Sequence, residues 1–460
     1  MENVEDIYAL TPLQKGILFH ALYSPQSGVY FEQLSCRIKE PLQVNLFKQA
    51  WDQVYRQHAA LRSLFLWEEI EEPVQVVRGE VVIPWTEEDW RGETAIDQRL
   101  TEYLENDRRV GFDLGRAPIC RMLLARESDT SWRFVWSYHH ILLDGWSYPI
   151  VIREVKETYN SLLEGRDGEA MGLGDDDVPL FRDYVIWQSE QELDRAQAFW
   201  KQSLEGFEAP IELEAMAESA DRGHQTLEHL LEADLSAAIA AYARENRVTL
   251  NTVIHGAWAL LLKYYTGQND LVFGSTVANR PPEIAGVERL VGCCINTLPF
   301  RVTMDDEQPL SDWFTGMQST HLGMRDYSYV GLNSIRNWAG FSGERQLFDT
   351  IIVFENYPVV GGEEEGLQLT DVELLEQSNF PLALLVIPEA QGMKLFLIVD
   401  SEKYPVAVAR RMLDHFQAIL SSFVDPKVVT VGDVRLLGAQ ERSQLNALSY
   451  CRGPEQVADS

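Results

Sequence analysis

Two adjacent histidines, followed by an aspartate and a glycine, form the segment best suited to chemistry. They are His139, His140, Asp144 and Gly145. An imidazole has a pKa near ~6.5, so either histidine can accept or position a proton at physiological pH. An aspartate four residues later can orient an imidazole, or it can form a buried ion pair with an arginine. We favour the ion pair, because the turn after the histidines is expected to aim Asp144 away from a cleft.

The same four residues allow two other interpretations. Histidines beside a carboxylate can be a hydrogen-bonded cluster inside a core, or two ligands of a metal ion. The sequence contains no further His, Cys or Glu set with metal-ligand spacing, no glycine-rich phosphate loop and no GxSxG motif. We therefore expect no metal, but for this motif alone catalysis and a structural role both stay open.

The histidine pair is predicted to lie where a strand ends. Residues 133–138 are rich in aromatic and β-branched side chains, which favours a strand, and residues 149–163 are predicted to form a helix. Consecutive strand residues face opposite sides, so His139 and His140 should have different roles, one facing a packed interior and the other a cleft. Gly145 is expected to adopt backbone angles that other residues avoid.

Helix and strand signals recur in both halves of the chain. Asn45 is predicted to cap an early helix, and Thr249 to cap a long helix that ends near Gly267. The second half also contains four predicted strands: residues 270–277, 347–354, 380–387 and 395–399. The Gly/Asp-rich stretch 165–177 is the predicted linker between two α/β lobes of broadly similar size.

Length, charge and cysteine content narrow the class of protein. A chain of 460 residues exceeds what one hydrophobic core usually spans. The formal charge of −32 disfavours nucleic-acid and membrane partners, because an acidic surface repels phosphates. The five cysteines form no CxxC pair, and neither a signal peptide nor a membrane-spanning apolar run is present. These features predict a reduced, cytoplasmic protein.

The histidine segment resembles the HHxxxDG signature of condensation domains from nonribosomal peptide synthetases, which belong to the chloramphenicol-acetyltransferase-like superfamily. Five other segments are similar to further motifs of these domains and occur in the family's order. They are residues 8–20, 58–65, 181–187, 291–301 and 354–358. The resemblance therefore covers nearly the whole chain, and the set of motifs is far more specific than any one of them.

The resemblance implies an α/β fold of two chloramphenicol-acetyltransferase-like lobes in a V-shaped pseudo-dimer with a central tunnel. The lobes would be residues 1–175 and 176–440, and residues 441–460 would be a linker toward a following domain. The implied partners are upstream donor and downstream acceptor peptidyl carrier proteins and an adenylation domain in the same chain. Substrates would arrive on the phosphopantetheine arms of the carriers, and the domain itself would bind no cofactor.

The resemblance also implies roles for individual residues. His140 would hydrogen-bond the attacking amine and help remove its proton during amide-bond formation, while His139 would pack behind the loop. Asp144 would pair with an arginine, for which Arg280 is the candidate. Gly145 would let the substrate approach, and its backbone N–H would face the developing oxyanion.

Four other residues receive weaker assignments. Asn296 would either shape the floor of the site or cap a loop. Trp146 is a second candidate for the site floor, although packing is favoured over substrate contact. Cys293 and Cys294 are expected to be small core residues. The family pattern often has a bulkier Phe at the position of Cys294, which leaves the local shape of the pocket open.

Several related functions compete with condensation. An epimerisation domain would carry an additional Glu-rich motif that this sequence lacks, and a heterocyclisation domain would replace the histidine motif with an aspartate-based one. A catalytically silent docking module and a freestanding acyltransferase that uses coenzyme A are further alternatives. Within the condensation class, residues 10–20, 139–147 and 295–301 resemble domains whose donor ends in a D-residue.

Overall fold

The structure is a computed structural model, and part of the chain is described. The described residues are 3–25, 27–39, 42–166, 179–208, 223–341, 346–355, 366–389, 391–438, 441 and 443. Most of the predicted linker 165–177, most of the terminal segment 441–460 and the end of the motif 354–358 lie outside these residues.

Eleven α-helices lie within the described residues. They are α1 (Pro12–Tyr23), α2 (Val44–Gln57), α3 (Ile96–Val110), α4 (Ser147–Leu163), α5 (Phe181–Ser189), α6 (Leu193–Ser203), α7 (Ala233–Glu245), α8 (Leu250–Thr266), α9 (Leu310–Asp326), α10 (Leu332–Trp338) and α11 (Val406–Phe423). None of the helices described is long and apolar enough to span a bilayer.

Fourteen strands of the described chain form three sheets. A small sheet has the order β1 (Val4–Ala9), β4 (Val74–Arg78), β3 (Ser63–Leu66). The first-half sheet has the order β12 (Leu369–Leu375), β2 (Phe31–Ile38), β7 (Trp132–His139), β6 (Cys120–Arg126), β5 (Trp85–Asp89). The second-half sheet has the order β10 (Ile295–Thr303), β9 (Asp270–Ala278), β11 (Thr350–Phe354), β13 (Leu382–Glu389), β14 (Gly392–Asp400), β8 (His224–Glu232).

Most local predictions agree with these elements, and one is wrong. The Thr249 side chain accepts a hydrogen bond from the N–H of Thr252 at 3.2 Å, and Gly267 ends α8 in the left-handed conformation, as predicted. The predicted cap Asn45 is wrong, because α2 begins earlier, at Val44. The residue before that start, Gln43, donates its N–H to the Tyr159 hydroxyl at 3.0 Å. Among the described residues, no side chain caps the first turn of α2, and the contact with Tyr159 fixes the residue before the helix.

The two halves of the chain are interleaved. Strand β12 comes from the second half, yet it pairs antiparallel with β2 of the first half, with Leu374 opposite Leu34. Val291 and Cys293 belong to the hydrophobic core beneath the first-half sheet, while a larger core lies under the second-half sheet. The proposed boundary near residue 175 stays a prediction, and contacts across it hold the two halves together.

Candidate active site

Strand β7 delivers the histidine pair to the end of the first-half sheet. Its side chains are buried from Arg133 onward, so the strand is fixed from both faces. His139 is the last residue of the strand and lies opposite Phe31 of β2. The next N–H, that of His140, donates to the carbonyl of Tyr30 at 2.9 Å. The ladder therefore ends at the histidine pair.

His139 is buried in a polar turn behind the sheet end. Its Nδ1 atom accepts a hydrogen bond from the N–H of Ile141 at 3.2 Å. Desolvation, with a smaller contribution from the neighbouring His140, lowers the pKa of His139 to about 3. A neutral imidazole that accepts a local backbone N–H suits the structural role predicted for His139.

His140 is partly exposed, and its environment keeps the imidazole neutral. Burial lowers the pKa of His140, while its own backbone carbonyl and the charge of Asp144 partly oppose that shift. Its Nδ1 atom is enclosed and has no hydrogen-bond partner from another described residue. A neutral ring beside its own carbonyl favours the proton on Nδ1, which leaves Nε2 as the nitrogen able to accept a proton.

Asp144 points away from His140 and into a dense set of donors. Its two carboxylate oxygens each lie 3.0 Å from Nη2 of Arg280. Oδ2 also accepts the N–H of Cys294 at 2.9 Å, and Oδ1 lies 2.6 Å from Oγ of Ser147. The predicted Asp144–Arg280 pair is present, and the contact with Cys294 ties the histidine loop to β10.

Arg280 is held on both sides of this ion pair. Its Nη1 atom donates to the carbonyls of Val287 at 3.1 Å and Leu290 at 2.7 Å. Its guanidinium carbon lies 5.6 Å from the centre of the Trp146 ring, within cation–π range. Trp146 also donates its indole N–H to the carbonyl of Glu288 at 3.0 Å. The contacts of Trp146 are those of a packing residue rather than of a site floor.

Ser147 is a contact residue of the site that the sequence analysis missed. Its Oγ atom accepts the N–H of Gly292 at 3.1 Å and lies 3.2 Å from Nη2 of Arg280. Its own N–H donates to Oδ1 of Asp144 at 3.0 Å. An Asp followed three residues later by Ser at a helix start is the signal that could have found it, because an aspartate often caps such a turn.

Gln14 is a second missed residue, and it fixes the histidine loop from the other side. It lies at the start of α1, where it forms a capping box with Thr11. Its buried amide nitrogen donates to the carbonyl of Ile141 at 3.0 Å and to Oε1 of Gln75 at 2.9 Å. The capping pattern was readable from the sequence, but the contact with residue 141 was not.

The backbone at Gly145 differs from the expectation. Gly145 does not have the left-handed conformation that was predicted, and the residue near the site that does is Tyr30, with φ of 65°. The tight turn is instead closed by the hydrogen bonds of Asp144 and Ser147. Among the described residues, no backbone carbonyl accepts the Gly145 N–H.

Asn296 braces a loop in the described structure. Its amide nitrogen donates to the carbonyls of Ser328 at 2.8 Å and Val330 at 2.7 Å. Its Oδ1 atom accepts the N–H of Thr297 at 3.0 Å. Of the two roles considered for Asn296, these contacts favour loop capping over the site floor.

The described residues of this region indicate neither a reactive thiol nor a metal-binding cluster. Cys293 and Cys294 are fully buried, and burial raises the pKa of both thiols. Within the described part of the chain, no three His, Cys, Asp or Glu side chains are grouped so as to hold a metal ion. Among the described residues of the site, His140 and backbone N–H groups are the candidates for proton transfer and charge stabilisation.

The neutral imidazole of His140, at the end of a sheet in an α/β protein, can accept a proton from a bound group, and sequence comparison identifies the family. The family model of the condensation domain matches residues 4–446. The chain therefore belongs to the condensation-domain family. The predicted family is confirmed.

Two relatives illustrate the similarity. One of the linear gramicidin synthase proteins of Brevibacillus parabrevis is 39% identical over 456 residues, which cover 96% of this chain and 6% of that protein. Surfactin synthase subunit 3 of Bacillus subtilis (strain 168) is 30% identical, covering 96% of this chain and 35% of that protein. The chain thus spans a small part of these multidomain relatives.

Solved structures support the fold. The starter condensation domain of rhizomide synthetase RzmA matches with a TM-score of 0.77 and 20% identity, covering 94% of this chain and all of that one (100%). The first condensation domain of the calcium-dependent antibiotic synthetase, in complex with a substrate analogue, matches with a TM-score of 0.76 and 17% identity, covering 95% and 100%. The predicted α/β fold class is confirmed.

Proposed function

We propose that this chain joins an upstream peptidyl or aminoacyl thioester to the amine of a downstream aminoacyl thioester. Both substrates would be carried on phosphopantetheine arms of carrier proteins. The observation that carries this proposal is His140, a partly exposed neutral imidazole at a sheet end that is braced from both sides. The relatives are parts of much longer synthases, which supports partners in the same assembly.

The amine nitrogen would attack the thioester carbon, and the carbon–sulfur bond would break. An α-amine has a pKa near ~8, so a useful fraction is already neutral and needs no strong base to activate it. Nε2 of His140 would take the surplus proton from the nitrogen and return it to the departing thiolate. Alignment of two tethered substrates would supply much of the acceleration, since well-oriented reactions gain up to ~7–11 kcal/mol.

The N–H of Gly145 would stabilise the negative oxygen of the tetrahedral intermediate. Preorganised backbone donors act well in this role because they need not reorganise as charge develops. The lack of an acceptor for this N–H among the described residues supports the assignment. His139, Asp144 and Arg280 would support the site without contacting the substrate.

The wider setting is also part of the proposal. We place the two carriers at opposite mouths of a tunnel between V-shaped lobes, with an adenylation domain downstream and the reaction in the cytoplasm. The donor is proposed to end in a D-residue, on the resemblance of residues 10–20, 139–147 and 295–301. The domain itself is proposed to need no further cofactor.

Replacement of His140 tests the proposal directly. Donor and acceptor carriers are loaded with defined aminoacyl groups of both configurations, and the dipeptidyl thioester is measured by mass spectrometry. His140→Ala should lower turnover on the order of 100-fold or more, because a positioned acid–base group contributes about that much. Near-normal turnover by a folded His140→Ala protein would reject His140 as the key residue.

A second histidine provides the matched control. His229 lies on β8, and its Nε2 atom pairs with Oε1 of Gln417 at 2.5 Å, outside the histidine loop. His229→Ala should keep normal turnover. If both variants lose activity equally, the loss reflects general damage, and the assignment to His140 fails.

A further inference from the structure

Tyr30 has an unusual backbone for its residue type. Its φ of 65° lies in the left-handed region, which a bulky side chain rarely adopts. The four other described non-glycine residues with positive φ are Asn3, Glu69, Arg247 and Asp371, and all four are exposed. Tyr30 is instead packed against the first-half core. Strained conformations of enclosed residues concentrate at functional sites.

Tyr30 contacts His140 at two points. Its carbonyl accepts the N–H of His140 at 2.9 Å. Its ring meets the His140 ring edge-on, with centroids 6.2 Å apart and planes at 85°. Edge-to-face packing is a preferred geometry for aromatic rings. Tyr30 therefore holds both the main chain and the imidazole of His140.

The ring of Tyr30 is itself held from other directions. Its centroid lies 6.3 Å from that of His139 and 6.4 Å from that of His20 on α1. Burial raises the pKa of the Tyr30 hydroxyl, and the nearby thiol of Cys293 adds to that shift. Tyr30 thus lies between α1, the end of β7 and the approach to β10, so its position is set by three elements.

We infer that Tyr30 is a positioning residue for His140, using its left-handed carbonyl to fix the main chain and its ring to fix the imidazole. This inference rests on the proposed function, because it assigns Tyr30 to the reaction that His140 serves. The hydroxyl is not needed for either contact. The ring and the backbone conformation are the two parts that matter.

Three substitutions separate these parts. Tyr30→Phe keeps the ring, Tyr30→Gly keeps a left-handed backbone without strain but removes the ring, and Tyr30→Leu removes the ring while the backbone strain remains. Tyr103→Leu is the control, since Tyr103 is a partly buried tyrosine of a separate small cluster. Tyr30→Gly keeps the test interpretable if Tyr30→Leu does not fold.

The expected kinetic result is a fall in kcat with KM for the carriers unchanged. Tyr30→Gly and Tyr30→Leu should lower kcat on the order of 10- to 100-fold, because a small misplacement of a reacting group costs about that much. Tyr30→Phe and Tyr103→Leu should stay close to the parent. A loss in Tyr30→Phe equal to that in Tyr30→Gly would overturn the inference.

The protonation of His140 gives a readout that a merely structural tyrosine would not move. The titratable groups near His140 are His139 and Asp144 in its own segment and Tyr30 across from it, with Cys293 and His20 behind Tyr30. Removal of the Tyr30 ring admits water, so the pKa of His140 should rise toward its ordinary value near ~6.5. Histidine-selective NMR, assigned with His140→Ala, measures this shift.

The two readouts distinguish the inference from the proposed function. If the parent forms no dipeptide on any loaded carrier, the proposed function fails, while the NMR shift still tests the contact between Tyr30 and His140. If the parent is active and His140→Ala is inactive, but Tyr30→Gly shows parental kcat and an unmoved His140 titration, the positioning role of Tyr30 is wrong and the proposed function stands.

Discussion

At the scale of single residues, the site separates a reactive imidazole from the charges that support it. Asp144 is almost fully buried and directs its carboxylate to Arg280, Ser147 and Cys294 rather than to His140. A carboxylate held in this way stabilises the loop while it leaves the imidazole unprotonated. The arrangement differs from a triad, in which the acid contacts the histidine directly.

Loss of Asp144 should act on stability. Asp144→Ala leaves Arg280 as an unpaired buried charge, which typically costs ~3–5 kcal/mol. Urea unfolding at pH 7, followed by tryptophan fluorescence, measures the change in the free energy of unfolding. The double variant Asp144→Ala/Arg280→Met removes both charges and should recover part of the loss. An Asp144→Ala protein that is as stable as the parent yet inactive would contradict the bracing role.

Tyr30 and Gln14, which the sequence did not indicate as site residues, show why the site was only partly readable from the sequence. The chemistry of a charged or titratable side chain can be read from its residue type. The sequence therefore indicated His139, His140, Asp144 and Arg280. It did not indicate Tyr30, since the importance of Tyr30 comes from a backbone angle and from contacts with residues distant in sequence. Gln14 was visible as a helix cap, but its bond to the carbonyl of Ile141 depends on the folded chain.

At the scale of elements, the start of α4 is a junction between the two halves. The Ser147 hydroxyl joins Asp144, Arg280 and Gly292, although the first lies three residues away and the others lie in the second half. One small side chain therefore fixes the first turn of the helix against the segment that leads to β10. The helix in turn follows directly from the histidine loop.

Ser147→Ala should loosen this junction. It leaves buried partners without a hydrogen bond, at a typical cost of ~1–3 kcal/mol, and it should lower the melting temperature measured by calorimetry. Ser203→Ala is the control, because among the described residues the Ser203 hydroxyl donates to the carbonyl of Phe199 in its own helix. Equal melting temperatures for Ser147→Ala and Ser203→Ala would show that the junction is not needed for stability.

Elements with strong local signals were predictable, and pairings between distant segments were not. The strand before the histidines and the capped helix α8 match their predictions, since alternation, capping and a terminal glycine are local properties. The strand predicted for residues 347–354 begins later, at Thr350. The pairing of β12 with β2 had no sequence signal, because register between remote strands depends on the whole fold.

At the scale of the whole molecule, three carboxylates lie near enough to influence one another's pKa where the halves join. Glu32 lies on β2, Glu355 follows β11 and Glu376 follows β12. Desolvation is the first cause that raises the pKa of each, and it raises the pKa of Glu376 to about 7. A buried carboxyl of this kind favours the protonated form, so folding is more stable at low pH than above its folded pKa.

Glu376→Gln tests this pH dependence. In the folded chain, Glu376 resists ionisation, so its contribution to stability is lost as pH rises through about 7. The amide cannot ionise, and Glu376→Gln should raise the free energy of unfolding on the order of 1 kcal/mol at pH 8.5 and change it little at pH 5. The exposed Glu68→Gln variant should show no such difference between the two pH values. If Glu376→Gln changed the free energy of unfolding equally at pH 5 and pH 8.5, ionisation of Glu376 would not be the cause of the pH dependence.

Strand β12 has a consequence for how such domains can be exchanged. Strands β2 and β12 pair with each other. In a chimera that takes its first half from one synthetase and its second half from another, these two paired strands would come from different parents. If their side chains did not match, β2 would be left with open backbone groups, which promote aggregation. Productive recombination is therefore expected to transfer both strands from a single parent.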